Sequence, residues 1–169
     1  MRAPQLVVLE TDGWIARLLA DLAAESKWLV RDTRSGDTAM SLVRARRPSV
    51  LVVQVDPADD RPVALALISD VNRLCPDVPV VAVSDVKMND ADRVAWTAAL
   101  FDLGARYVLF PPLTRPVIED VTSGLMAAAT RRAGIDAPAP AAPEKPKPRP
   151  RRAKPADDVI DLADDELHE

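Results

Sequence analysis

Hydrophobic positions in the first 133 residues come in two alternating patterns. Short continuous runs occupy 5–9 (QLVVL), 28–30, 49–55 (SVLVVQV), 79–84 (PVVAVS) and 107–110 (YVLF). Runs of this length, rich in β-branched residues and lacking polar alternation, predict strands buried on both faces. Between them lie stripes at helical spacing. Residues 14–25 place Ile15, Leu18, Leu19, Leu22 and Ala23 on one side. Residues 37–47 turn Met40, Leu42 and Val43 inward, with Arg44, Arg46 and Arg47 forming a solvated face. Residues 63–74 align Leu65, Leu67, Ile68, Val71 and Leu74. A fourth helix over 89–103 is capped by Asn89 or Asp90 and closed by Gly104, and a fifth over 114–132 carries Pro116 in its first turn.

Five strands alternating with five helices require right-handed crossovers, hence a parallel sheet with helices on both faces. The expected fold is a doubly wound α/β domain, a (βα)5 flavodoxin-like sheet. Its strand order is expected to be 2-1-3-4-5, because the first and third runs are the most apolar and suit central positions. Sites in such sheets lie beyond the carboxyl ends of the strands. The central run, bracketed by Pro48 and Pro57, therefore directs attention to Gln54, Val55 and Asp56.

Composition changes near Gly134, which suits the end of the last helix. Residues 1–133 are close to charge balance, whereas seven of the 16 prolines fall between 138 and 155. Residues 134–156 form a Pro/Ala-rich and then basic linker (EKPKPRPRRAKP) that cannot bury a core and is expected to stay extended and disordered. Its cations would suit an anionic surface, but no aromatic side chain interleaves them to stack on bases. Residues 157–169 are acidic, with Val159, Ile160, Ala163 and Leu167 at amphipathic spacing; this peptide is too short to be a stable helix alone and is expected to fold in a partner's groove. The net charge of −4 offers no global attraction to nucleic acid. No run is long enough to span a membrane, and Met1–Pro4 leads directly into a strand, so a cytoplasmic protein is expected. A single cysteine, Cys75, excludes a disulfide framework and reads as a buried thiol at a helix end. Trp14 and Trp28 read as packing residues.

Four stretches, in order, resemble the receiver domain of bacterial two-component response regulators. LVVLETDG (6–13) resembles the first strand and its acidic turn. RRPSVLVVQV (46–55) resembles the third strand, in which a proline precedes the phosphoacceptor aspartate by six residues. PVVAVS (79–84) resembles the fourth strand ending in the switch Ser or Thr, and GARYVLFPPL (104–113) resembles the Gly-Ala turn, fifth strand and Lys-Pro. The resemblance implies a reaction centre of an acidic pair holding a divalent cation, an acceptor Asp, a hydroxyl and a lysine. In this chain the acidic pair becomes Glu10 and Thr11, followed by Asp12. The acceptor position holds Gln54, the hydroxyl is kept as Ser84, and the lysine position holds Pro111. A carboxamide has no anionic oxygen with which to form an acyl phosphate.

The expectation is thus a degenerate receiver, or pseudo-receiver: not an enzyme, with no cofactor, docking protein partners of signalling or localisation independently of Asp phosphorylation. Trp96, Phe101 and Tyr107 mark the face of the fourth helix, fifth strand and fifth helix. In the family, that face meets partners or a second copy to form a homodimer. The alternative is a genuine response regulator phosphorylated at a displaced acceptor, Asp56, with Mg²⁺ held weakly by Glu10 and Asp12. The plainer reading of Asp56, with Pro57, Asp59 and Asp60, is a turn and helix cap. A nucleotide-binding enzyme on the same fold would require a glycine-rich phosphate loop, and ETDGW (10–14) has one glycine. No recognition helix for DNA follows the domain.

Overall fold

The computed structural model describes residues 3–58 and 62–134. The elements run β1 (Gln5–Leu9), α1 (Trp14–Leu18), α2 (Ala20–Glu25), β2 (Leu29–Thr33), α3 (Gly36–Ala45), β3 (Ser49–Gln54), α4 (Val63–Leu74), β4 (Val80–Val83), α5 (Asp90–Leu103), β5 (Tyr107–Leu109) and α6 (Arg115–Arg132). The five strands form one parallel sheet in the order β2-β1-β3-β4-β5, as the apolar ranking of the runs predicts.

Strand periodicity divides the core in two. Val7, Leu9, Leu51, Val53 and Ala82 point to one face, where Ala39 and Val43 of α3, Leu67, Ile68 and Val71 of α4, and Leu100 of α5 cover them. Leu6, Val8, Val50, Val52, Val81 and Val83 point to the other, against Ile15 of α1, Leu19, and Ile118, Leu125 and Met126 of α6. Residues alternate between faces along each strand, and both faces are sealed, so β1 and β3 carry no exposed apolar side chain. Each such side chain contributes about 1.5–3 kcal/mol through burial. Cys75 is buried at the C-terminal end of α4, as expected. Thr122 and Thr130 are buried within α6, and their hydroxyls donate back to the carbonyls of Ile118 (2.7 Å) and Met126 (2.8 Å), leaving no hydroxyl unpartnered.

Several strand ends are one residue shorter than the apolar runs, and three elements differ by more. The stripe over 14–25 is two short helices rather than one, joined at Leu19, which stays in the right-handed region but with ψ opened to −1° (φ −90°). Bonds from Leu19 N–H to Ile15 O and from Ala23 N–H to Leu19 O carry the chain across that break. The second strand extends past Val30 to Thr33, because pairing with β1 (Val8 with Asp32, Leu9 with Thr33) holds polar residues in the ladder at the sheet edge. The third helix starts at Gly36, where Ser35 accepts a hydrogen bond from Thr38 N–H, and ends at Ala45.

Helix α5 is bounded as expected. Asn89 Oδ1 accepts from Asp92 N–H at 2.8 Å, and Gly104 closes the helix at φ 108°, a left-handed geometry that favours glycine. Among the described residues no helix is long and apolar enough to cross a membrane.

Candidate functional site

The carboxyl ends of β1, β2 and β3 bring together the residues that the sequence singles out. Glu10 directly follows β1 and is 4% exposed. Its Oε2 accepts from Ile15 N–H at 2.8 Å and its Oε1 from Ala16 N–H at 2.9 Å. These are amides of the first turn of α1, whose N-cap position is Gly13 and therefore supplies no side-chain acceptor. Glu10 fills that role from five residues upstream. The reach depends on Gly13 at φ 75°, which folds the turn back. A carboxylate here receives two charge-assisted bonds and faces the positive end of the helix. Both of its oxygens are engaged by backbone, which sets the structural role of Glu10 against its expected weak role as a metal ligand. Asp12 is exposed, and its carbonyl accepts from Arg17 Nη1 at 3.1 Å. Among the described residues no group of three or more His, Cys, Asp or Glu is placed to hold a metal ion.

Gln54 ends β3. Its Oε1 accepts from Thr11 N–H at 2.9 Å and from Thr11 Oγ1 at 3.1 Å. A backbone N–H can only donate, so the carboxamide oxygen faces Thr11 and the NH₂ group faces away. Gln54 thereby ties the turn after β1 to the end of β3. Asp56 lies beyond the last residue of β3 and is exposed; its Oδ1 accepts from Ala58 N–H at 2.8 Å, an Asx turn. Asp59 and Asp60, read with it as a helix cap, lie outside the described residues. Ser84 is fully buried, and its Oγ accepts from Val86 N–H at 3.3 Å. Pro111 precedes Pro112 through a cis peptide bond and is half-buried.

Glu10, Thr11, Gln54 and Asp56 line one cavity of about 530 Å³, with Leu9, Val55, Arg34, the first turn of α4 (Val63, Ala64, Leu65) and Trp96 of α5. Ser84, Asp12 and Pro111 do not line it. Pro111 borders a separate shallow depression with Val94, Phe101, Val108 and Phe110. Arg34 is the residue that the sequence pattern missed. It sits one residue beyond β2, at the carboxyl end of the sheet like the others; ending the second strand at Val30 hid that position.

The expected partner-binding residues separate. Phe101 (49% exposed) and Tyr107 (46%) are open to solvent, together with Val94 (67%). Trp96 instead packs against the core face covered by α3, α4 and α5, and forms a wall of the cavity. Val159, Ile160, Ala163 and Leu167 lie outside the described residues, as does the rest of the linker and terminal peptide.

No family model matches this chain, and no curated protein matches it. Solved structures do resemble it. A candidate response regulator from Chloroflexus aurantiacus J-10-fl superimposes with a TM-score of 0.58 at 19% identity, over 75% of this chain and 99% of that one. The receiver domain of NtrX from Brucella abortus gives 0.57 at 22% identity, over 72% and 97%. FixJ-N gives 0.57 at 15% identity, over 75% and 95%. A longer NtrX chain solved with ADP is matched over 29% of its length. Identities this low establish a likeness of fold: a five-stranded receiver-type domain.

Proposed function

We propose that this chain is a pseudo-receiver, a non-catalytic signalling or scaffold module that binds protein partners without phosphorylation of an aspartate. The observation that carries this reading is the side chain at the end of β3. Gln54 offers a carboxamide whose oxygen is already bonded twice to Thr11, and an amide oxygen is a poor nucleophile toward phosphorus. Two further features support it. Glu10 is engaged by the amides of α1, and the position after Phe110 carries Pro111 rather than a cation. With no covalent switch at the sheet end, partner binding is constitutive. It uses the exposed apolar side chains of α5 and β5 (Val94, Phe101, Tyr107), with the acidic terminal peptide as a second recognition element. The protein needs no Mg²⁺ and acts in the cytoplasm.

The test is incubation of the full chain with acetyl phosphate and Mg²⁺, read by intact mass. No adduct is expected. An adduct of one phosphoryl group that disappears in Asp56→Ala would overturn the reading and install Asp56 as a displaced acceptor. Asp56 is the only other carboxylate lining the cavity among the described residues.

A further inference from the structure

Charge is distributed unevenly along the direction of the strands. All five strands run the same way and the helices return, so strand starts and helix ends share one end of the domain. That amino-terminal end carries six exposed cations from five segments: Lys27 after α2, Arg44 in the last turn of α3, Arg73 in that of α4, Arg106 ahead of β5, and Arg131 and Arg132 closing α6. Arg46 and Arg47 stand there too, half-buried, and donate to the carbonyls of Ala3 and Val43. The acids of this end are Glu25, Asp77, Asp102 and Asp70, and Asp70 is bridged to Arg73 at 2.8 Å. The opposite end has the reverse balance, with Asp12, Asp37, Asp56, Asp85, Asp90 and Asp92 against Arg17, Arg34, Lys87 and Arg93. Of the undescribed residues, 1–2 and 135–137 adjoin the basic end along the chain, and they bring one arginine and one aspartate. The macrodipole favours a cation at each helix end, but it does not account for the apolar side chains exposed among them, Leu74 (48%) and Tyr107 (46%).

We propose that this end of the sheet is a docking face for an anionic lipid surface. The cations reach from the β2 edge to the β5 edge, about 19 Å at the usual strand spacing. They belong to helices on both faces of the sheet, so they cover an area rather than line a groove. A bilayer is flat and meets the whole area, whereas a duplex nucleic acid is a convex rod and meets a flat end along one line. Leu74 and Tyr107 gain nothing from the phosphates of a duplex. At a bilayer they enter the boundary between headgroups and acyl chains, where the amphipathic ring of tyrosine is favoured. The acidic end then points into solution. A five-residue strand, about 17 Å, separates the two ends, which exceeds the screening length of about 8 Å at physiological ionic strength. The net charge of −4 therefore does not oppose contact through the basic end. The chain continues from α6, at that end, into residues 145–154, six of which are Lys or Arg and attract the same surface. Residues 157–169, with seven acids, work against that attraction. The face is separate from the site at Gln54, so it stands whether or not that centre accepts phosphate.

The test is co-sedimentation of the full chain with vesicles of phosphatidylcholine, alone or with about a third phosphatidylserine. Binding is expected only to the anionic vesicles, and it should fall about tenfold when salt is raised from about 0.1 M to about 0.5 M. Arg131→Glu with Arg132→Glu should weaken it about tenfold or more. Lys27→Glu with Arg106→Glu should do likewise, so the outcome does not depend on one pair. All four positions are exposed, and an unchanged circular dichroism spectrum and urea midpoint identify the variants that keep the fold. Lys87→Glu with Arg34→Glu makes the same change of net charge at the opposite end, also at exposed positions, and should alter binding by less than about threefold. Serine in place of the six cations of 145–154 should weaken binding while leaving it sensitive to the reversals at the basic end. Equal loss in the opposite-end pair, binding indifferent to both reversals at the basic end, or no preference for anionic vesicles would overturn the proposal. So would capture of the chain by duplex DNA in competition with the vesicles at equal concentrations of phosphate.

Discussion

Replacing Glu10 by Gln tests whether this carboxylate is a helix cap or a metal ligand. In the wild type both oxygens accept from amides of α1, at 2.8 and 2.9 Å, within a site that is 4% exposed. Gln keeps one acceptor oxygen and turns an NH₂ group toward the other amide. That places two donors face to face and leaves a buried N–H without an acceptor, at about 1–3 kcal/mol. The surviving bond loses its charge assistance, and the helix loses an anion at its positive end, a further 0.3–1 kcal/mol or so. The expected loss is about 2–3 kcal/mol, near the middle of the summed range because the five-residue α1 can fray and admit water. Chemical denaturation in urea, followed by the fluorescence of the partly buried tryptophans, measures it. Wild type and variant should share one m-value, with the midpoint of the variant lowered. The same titration is run with and without 10 mM MgCl₂. A cap predicts that Mg²⁺ leaves the wild-type midpoint unchanged. A metal ligand predicts stabilisation of the wild type by bound Mg²⁺ and its loss in Glu10→Gln. A destabilisation below about 0.5 kcal/mol, within the range of ordinary surface substitutions, or a Mg²⁺-dependent midpoint abolished by the substitution, would refute the capping role.

The other expectations follow from the same kind of contact. Gln54→Ala removes both bonds to Thr11, but Thr11 is exposed and water replaces them; the loss should be only about 0.5–1 kcal/mol by the same denaturation assay. Asn89→Ala removes the acceptor for Asp92 N–H at the start of α5 and should cost about 1 kcal/mol, while Asn89→Asp should restore most of it. Gly104→Ala meets two penalties: φ 108° is strained for a residue with a Cβ, and the new methyl would stand inside contact distance of the Asn72 side chain. A loss of about 2–3 kcal/mol is expected, of which Asn72→Ala in the same chain recovers only a fraction, because the Cβ at position 72 still meets the new methyl and the backbone part is untouched. Leu100→Ala, at a fully buried position of α5, should lower stability by about 2–5 kcal/mol.

The sheet was legible because its central strands are buried on both faces. The middles of β1 and β3 are continuous apolar runs, with polar residues only at strand ends (Gln5, Ser49 and Gln54), and the ranking of runs by apolarity placed the two strands beside each other. The edge was harder to read. Arg31, Asp32 and Thr33 belong to β2 through ladder bonds to β1 rather than through any hydrophobic pattern, so a reading based on burial stops the strand early and leaves Arg34 stranded in a loop. The break at Leu19 is a local matter of dihedral angles that leaves the stripe of inward residues intact, and no periodicity reports it. Glu10 was found for a different reason than the one that explains it. Its position after the first strand marked it as a site residue, but its bonds to Ile15 and Ala16 depend on the turn through Gly13, which the spacing alone does not reveal. Trp96 was assigned to an outer surface with Phe101. Five residues separate them, so on a helix they point in directions more than a quarter turn apart, and only Phe101 remains outside.

The residues at the sheet end suit one another energetically. Two carboxylates about 4 Å apart at an effective dielectric constant near 20 repel by about 4 kcal/mol, so a centre with several acids at close quarters requires a metal ion, a lysine or both. Here Gln54 is neutral and Glu10 is balanced by the positive end of α1. The charge that remains, Asp56, is exposed to water at the rim. Among the described residues no buried carboxylate is left without a partner at the sheet end, and Pro111 occupies the fifth-strand turn without one facing it. The carboxamide at position 54 therefore does two things at once: it ties the end of β3 to the turn after β1, and it adds no negative charge beside Glu10.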